Sequence, residues 1–182
     1  MPESRFLQLA ASRRSIRKYK DTPVERAKLD LCLEAARMAP SACNAQPCRF
    51  LVIDEPALKK KFCAAVFGGV YAACKFAAAA PAMVAVLSDT GKVSAWLGNQ
   101  MQDTNFRLVD IGIAAEHFVL EAAEQGLGTC WLGWFNAKAG AKALGLKPGG
   151  RIEVLLSVGY PDESPAPRRR KKTEDFSSYN KI

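Results

Sequence analysis

The sequence lacks the residue clusters with which many enzymes catalyse reactions or bind metals. It has a single histidine, His117, and none of its six cysteines forms a Cys-x-x-Cys pair. It has no Walker A loop, no His-Glu-x-x-His pair and no Gly-x-Ser-x-Gly elbow. Gly126 and Gly128 resemble the start of a dinucleotide fingerprint, but the next glycine and the helix-to-strand order do not fit one. If the protein is an enzyme, a cofactor is therefore predicted to carry its chemistry.

Long apolar runs are also scarce. The longest spans residues 76–87, which is too short to cross a membrane and contains Pro81. No secretory signal is visible, and most of the cysteines lie within apolar runs, where a thiol packs as a small hydrophobe. These features predict reduced thiols in a cytoplasmic protein. The length of 182 residues predicts one domain, 1–182, with a basic C-terminal extension at 160–182.

Positive charge is in excess, and much of it is local. The formal net charge is +8, with basic clusters at residues 13–20 and 168–172. Two clusters so far apart in sequence could converge on one anionic group, remain solvated, or contact a nucleic acid. The nucleic-acid alternative predicts strongly salt-dependent binding to DNA or RNA. No recognised nucleic-acid motif accompanies the clusters, so we expect neither a nucleic-acid nor a membrane partner.

Periodicity predicts interleaved helices and strands. Helices are predicted at 3–11, 22–39, 57–66, 71–80, 100–125 and 137–144, and strands at 50–53, 83–87, 129–135 and 152–158. Thr22, with Glu25 three residues on, reads as the N-cap of the second helix. The long helix 100–125 argues against simple βαβ repetition. Because its apolar residues occupy several sides, burial against a second subunit is expected.

Residues 40–47 interrupt this pattern with a short polar loop. Pro40 and Pro47 bound it, and both lack a backbone N–H and fix φ. Ser41, Asn44 and Gln46 carry hydroxyl and amide groups that both donate and accept hydrogen bonds. Such a loop suits the polar edge of a flat heterocycle. The alternative is a self-satisfied connector, in which Ser41 and Asn44 bond their own backbone.

Four motifs in order resemble the FMN-dependent nitroreductase family. They stand at residues 13–17, 40–47, 126–133 and 159–161, the last followed by the basic tail. The resemblance implies an α+β, three-layer fold with a central mixed or antiparallel sheet flanked by helices and a long core helix. It further implies FMN bound at the interface of a homodimer, with the C-terminal extension wrapping the partner subunit.

The resemblance also implies which residues contact FMN. Arg13 with Arg168 or Arg170 would chelate the phosphate, and Arg17 would lie near the N1–O2 edge of the flavin ring. The loop residues would approach from the other subunit, and the segment 131–133 would lie near N5. The full implied set is Arg13, Arg14, Ser15, Arg17, Pro40, Ser41, Ala42, Asn44, Gln46, Trp131, Leu132, Gly133, Arg168 and Arg170. Two positions depart from the family pattern: Cys48 replaces an aromatic residue, and His117 replaces an amide.

The activity implied by the resemblance is NAD(P)H-dependent reduction. In ping-pong fashion, NADH or NADPH would give hydride to the flavin at N5, and an oxidant such as a nitroaromatic or a quinone would then take the electrons. A specialised role, reductive dehalogenation or oxidation of a bound intermediate, is the alternative. Four aromatic side chains could stack on an aromatic oxidant or could fill the core: Trp131, Trp134, Phe67 and Tyr71.

Overall fold

A computed structural model describes residues 4–88 and 105–180 of the chain. Its α-helices are α1 (Arg5–Ser12), α2 (Arg26–Arg37), α3 (Pro56–Val66), α4 (Phe106–Glu124), α5 (Ala137–Ala143) and α6 (Thr173–Phe176). Its strands are β1 (Cys48–Ile53), β2 (Ala82–Ser88), β3 (Gly128–Leu132) and β4 (Arg151–Gly159), and two 3-10 helices span Ala42–Asn44 and Gly69–Ala79. None of the helices in these ranges is long and apolar enough to cross a bilayer.

The strands form one antiparallel sheet in the order β1-β2-β4-β3. In its register, Val84 of β2 lies opposite Val52 of β1 on one side and Leu156 of β4 on the other. Every residue of β2 is buried, which its uninterrupted apolar sequence predicts for a strand covered on both faces.

Helices cover both faces of the sheet and give it two apolar cores. On one face, α2 and α4 pack through residues such as Leu29 and Phe118 against the even-numbered side chains of β2. On the other, α3 and the 3-10 helix pack through residues such as Phe62 and Ala77 against Met83, Ala85 and Leu87. This arrangement confirms the expected α+β, three-layer fold, and the sheet is of the antiparallel kind.

The predicted start of the second helix is wrong. Helix α2 begins at Arg26, and Glu25 stands at its N-cap with extended backbone and no side-chain cap. The Glu25 carboxylate instead accepts a hydrogen bond from the Tyr160 hydroxyl (2.6 Å), to which Lys28 also donates (2.9 Å). A capping box with Thr22 would need the Glu25 carboxylate. In the structure this carboxylate instead binds Tyr160, the residue that follows β4.

Two further elements differ from the expectation. The segment predicted as a helix at 71–80 is a 3-10 helix, and β3 ends at Leu132 rather than at Phe135. The predicted start of the long helix at 100–104 lies outside the described residues. The C-terminal end of α4 is as expected, because Gly126 follows with a φ of 74°, which an L-residue rarely adopts.

Candidate functional site

The basic segment 13–17 lies along the beginning of β3. Ser15 forms a parallel bridge with Thr129, and the backbone N–H of Ile16 donates to the Thr129 carbonyl (2.9 Å). Gly128 permits this approach, since a Cβ there would lie 2.6 Å from Cγ1 of Ile16. The structure thus brings the first and third sequence motifs together within one protomer.

Two arginines of this segment line a cavity of about 230 Å³. Arg13 pairs with Glu116 of α4 (3.7 Å), and its side chain is 21% exposed. Arg14 donates to the carbonyls of Ala11 and Arg13. The cavity is lined by Ser12, Arg13, Arg14, Ile16, Ala123, Gly126, Leu127, Gly128, Thr129, Pro161, Glu163, Ser164 and Pro165. Two guanidinium groups at one cavity suit a phosphate.

Glu163 is the lining residue that sequence reasoning missed. Its Oε1 accepts from the backbone N–H groups of Arg17 (2.5 Å) and Lys18 (3.2 Å). The carboxylate therefore satisfies these two amides and ties the start of the C-terminal extension to the basic segment. Only its position, four residues after the end of β4, marks it in the sequence.

Arg17 points away from this cavity towards the 3-10 helix Gly69–Ala79. Its guanidinium carbon lies 5.8 Å from the ring centroid of Phe76, within cation–π range, and Nη1 donates to the Ser15 carbonyl (3.3 Å). The side chain is also near Cys130 of β3, where it opposes the rise in the thiol pKa that burial causes. Arg13 and Arg17 thus have different neighbours, Glu116 for Arg13 and Phe76 for Arg17.

The loop 40–47 is a strained turn. Cys43, Asn44 and Gln46 have φ values of 52°, 51° and 48°, in the left-handed region that favours glycine. The Gln46 N–H donates to the Ser41 hydroxyl (2.9 Å), so Ser41 does bond the loop's own backbone. Backbone in this region costs about 1–3 kcal/mol per residue and persists only where the surroundings enforce it.

Asp110 of α4 is the group that holds the loop from outside. Its Oδ1 accepts the Ala42 N–H (3.0 Å), and the residue is only 4% exposed. The loop 40–47 and Asp110 border a second cavity of about 330 Å³. Its lining residues are Leu33, Ala36, Arg37, Ala39, Pro40, Ser41, Gln46, Pro47, Cys48, Arg49, Phe50, Asp110 and Ala114. Asp110 was not predicted as a site residue, although an acid within an apolar helix is a visible signal in the sequence.

The two cavities lie at different places along α4. Among residues 4–88 and 105–180 they share no lining residue, and Asp110 borders one while Ala123 borders the other. At about 1.5 Å of rise per residue, these two positions are roughly 20 Å apart. Within a protomer, the residues at these two cavities therefore form two sets. One set is the basic segment 13–17 with β3, and the other is the loop 40–47 with Asp110.

The segment 131–133 leads from the sheet to the surface. Trp131 packs against the α2–α4 core, Leu132 is buried in the opposite core, and Gly133 is exposed. Next to it, Trp134 is 57% exposed, and its indole N–H donates to the carbonyl of Val70 (2.9 Å).

The aromatic residues divide between core and surface. Phe67 is buried, so the core alternative holds for it. Trp134 and Tyr71 contact each other with ring centroids 5.3 Å apart, and Trp134 faces solvent. This pair is therefore the aromatic surface nearest in sequence to residues 131–133.

The arginines of the tail are not brought to the cavity. Arg168 and Arg170 lie in an exposed stretch beyond β4, and neither is among the described residues that line the cavity of Arg13 and Arg14. The implied chelation of one phosphate by Arg13 and a tail arginine thus has no counterpart within a single described protomer.

The remaining candidate groups have structural environments. All six cysteines are free, and burial raises the pKa of the Cys48 thiol to about 11. His117 is exposed, with Nδ1 2.9 Å from the Ile113 carbonyl oxygen. In residues 4–88 and 105–180, no group of histidine, cysteine and acidic side chains could hold a metal ion.

Comparison with known proteins decides the family. The model of the Nitroreductase family matches residues 10–160. The chain belongs to the nitroreductase family. It is 29% identical over 187 residues to an NADH dehydrogenase of Thermus thermophilus, covering 88% of this chain and 89% of that one. It is 26% identical over 180 residues to an iodotyrosine deiodinase of Thermotoga neapolitana, covering 88% and 90%.

A solved structure gives the same result for this nitroreductase-family chain. An FMN-dependent nitroreductase from Clostridium difficile R20291 superposes with a TM-score of 0.78 at 27% identity. The match covers 97% of this chain and 99% of that one. The expected fold therefore holds across nearly the whole chain.

Proposed function

We propose that this nitroreductase-family protein is an FMN-dependent NAD(P)H oxidoreductase. The observation that carries the proposal is the docking of the basic segment 13–17 along β3, where Arg13 and Arg14 line one cavity. When bound, FMN would accept a hydride from NADH or NADPH at N5 and pass the electrons on to an oxidant, in a ping-pong sequence.

The chain's own residues fit the two ends of FMN. Arg13 and Arg14, which line the cavity, would supply charge-assisted donors for the phosphate dianion. By resemblance to the family, the Ser15 hydroxyl would add a neutral donor at the phosphate end. Arg17, held over Phe76, supplies a fixed cation for the ring, where reduction leaves negative charge. The segment 131–133 would contribute backbone contacts along the flavin ring.

The loop 40–47 is proposed to complete the site from a second copy of the chain. In one protomer the loop and the basic segment border separate cavities, whose nearest α4 lining residues, Ala114 and Ala123, are roughly 14 Å apart by the rise per residue. Exposed apolar residues on α4, Leu108 (46%) and Val109 (49%), support burial of this helix in a cytoplasmic homodimer. Phe176 and Tyr179, at 82% and 92% exposed, likewise support a C-terminal extension that packs on the partner.

The oxidant is proposed to be a flat aromatic molecule such as a nitroaromatic or a quinone. Trp134 and Tyr71 offer it an aromatic surface next to Gly133, and the Trp134 indole is fixed by its bond to Val70. A halogenated aromatic is the second candidate, because the iodotyrosine deiodinase relative matches most of this chain.

Colour and turnover test the proposal. The purified protein should be yellow, or should take up added FMN, and should oxidise NADH or NADPH when an oxidant is present. A screen of nitroaromatics, quinones and halogenated aromatics, with both reductants, identifies the substrate class. A colourless preparation that fails to take up FMN would exclude both the reductase and the dehalogenase.

A further inference from the structure

The 3-10 helix Gly69–Ala79 presents a regular face to a third cavity. Since a 3-10 helix has 3.0 residues per turn, residues three apart share a face. Gly69, Ala72, Lys75 and Ala78 all line a cavity of about 530 Å³ between this helix and α3. The face formed by Tyr71, Cys74 and Ala77 instead contains the residues that pack towards the core or against Trp134.

The cavity combines cations with an apolar wall. Its lining among the described residues is Lys59, Lys60, Cys63, Ala64, Phe67, Gly68, Gly69, Ala72, Lys75 and Ala78, and none of these carries a carboxylate. Lys59 donates to the Ala80 carbonyl (2.5 Å), so its ammonium is fixed beside the cavity. Burial raises the pKa of the Cys63 thiol to about 11, so that group adds no negative charge at neutral pH.

We propose that this cavity is a binding site for a small aliphatic carboxylate. Lys60 and Lys75, both exposed at the rim, would pair with the carboxylate, while the alanines and Phe67 would contact the alkyl chain. Its volume lies in the range of small-molecule sites. In the part of the chain that the structure describes, it shares no lining residue with the two cavities of the proposed flavin site, so the inference stands apart from the proposed function.

Calorimetric titration of the full chain with hexanoate tests the site. Hexanoate should bind, hexanamide should bind at least about tenfold more weakly because it lacks the charge, and added salt should weaken hexanoate binding. Lys60→Gln should weaken it by about tenfold or more. Lys61→Gln is the matched control, because Lys61 is the next exposed lysine of α3 and lies outside the cavity lining.

A second variant tests the apolar part of the cavity. Ala72→Phe adds a ring on the exposed cavity face of the 3-10 helix and should abolish hexanoate binding while every lysine remains. Absence of hexanoate binding to the unmodified chain would overturn the inference. Equal affinity for hexanamide, an equal loss in Lys60→Gln and Lys61→Gln, or unchanged binding in Ala72→Phe would overturn it too.

Discussion

The two sets of candidate site residues are held in place by different means. The basic segment 13–17 is fixed by backbone: it pairs with β3 at Thr129, and Gly128 leaves the space for it. The loop 40–47 is fixed by side chains: Ser41 closes it from within and Asp110 holds it from α4. The first set depends on a close approach of two chain segments, and the second on one buried carboxylate.

The difference explains where each set is vulnerable. A backbone pairing tolerates changes of side chain in the segment but not a Cβ at the point of contact. A turn with three non-glycine residues at positive φ tolerates little loss of the bonds that enforce it. Variants at Gly128 and Asp110 therefore test separately how the basic segment and how the loop are held in place.

Gly128→Ala is expected to have the largest effect. Its Cβ would lie 2.6 Å from Cγ1 and 2.9 Å from Cβ of Ile16, so the docked segment must move. Overpacking of this kind costs about 1–3 kcal/mol of stability, and the displaced arginines should lose most FMN binding. Urea denaturation and FMN stoichiometry measure the two effects.

Gly68→Ala is the control for this change. Gly68 has extended backbone with a φ of -84°, and a Cβ there would lie at an ordinary contact distance of 3.5 Å from the Ala64 carbonyl oxygen, so alanine should stabilise the chain by about 0.4–1 kcal/mol. If Gly128→Ala unfolds and binds FMN like Gly68→Ala, the close approach at β3 does not position the basic segment.

Asp110→Ala is expected to have the next largest effect. It leaves the Ala42 N–H without its acceptor in a nearly buried place, which costs about 1–3 kcal/mol. FMN affinity should fall about tenfold or more, since about 1.4 kcal/mol corresponds to a factor of ten. Asp110→Asn keeps a carbonyl acceptor and should lose less; an equal loss in both variants would show that charge, not the bond to Ala42, matters.

Within the basic segment, Arg17 and Arg13 should differ in kind. Removing a charge-assisted bond costs about 1.5–3 kcal/mol, so Arg17→Ala should lower the flavin midpoint potential by roughly 30–65 mV. Arg13→Ala should weaken FMN retention and leave the potential nearly unchanged, because a phosphate has the same charge in both redox states. Redox titration of the FMN-saturated variants measures both midpoint potentials. A larger shift of the midpoint potential in Arg13→Ala than in Arg17→Ala would contradict the roles assigned to the two arginines.

The smallest expected effect is a difference in thiol reactivity between the two sets. Cys43 in the loop is exposed, whereas Cys130 in β3 is 3% exposed and burial raises its pKa. A raised pKa keeps the thiol protonated and unreactive, so iodoacetamide at mildly alkaline pH should label Cys43 first. Saturating FMN should slow that labelling. Mass spectrometry that finds Cys130 labelled as fast as Cys43 would contradict the burial of the docked strand.

Patterns along the chain predicted the fold better than they predicted the supports of the site. The apolar run of β2 and the glycine after α4 reflect local and burial preferences, and both were confirmed. Thr22 failed as a cap because Tyr160, distant in sequence, bonds Glu25. Gly128 matters because it lies against Ile16, and Asp110 matters because it accepts the Ala42 N–H. Both contacts join residues far apart in the sequence, so no local pattern predicts them.

Subunit mixing tests the central claim, a flavin site shared between two copies of the chain. The Arg13→Ala and Asp110→Ala variants should each bind FMN poorly as homodimers. They are given different affinity tags and co-expressed, and the mixed dimer is then isolated. If the basic segment of one copy meets the loop of the other, both defects fall in one site, and the mixed dimer should bind about one FMN with near-normal affinity. Two defective sites in the mixed dimer, one with each parental defect, would mean that each site is built from a single copy.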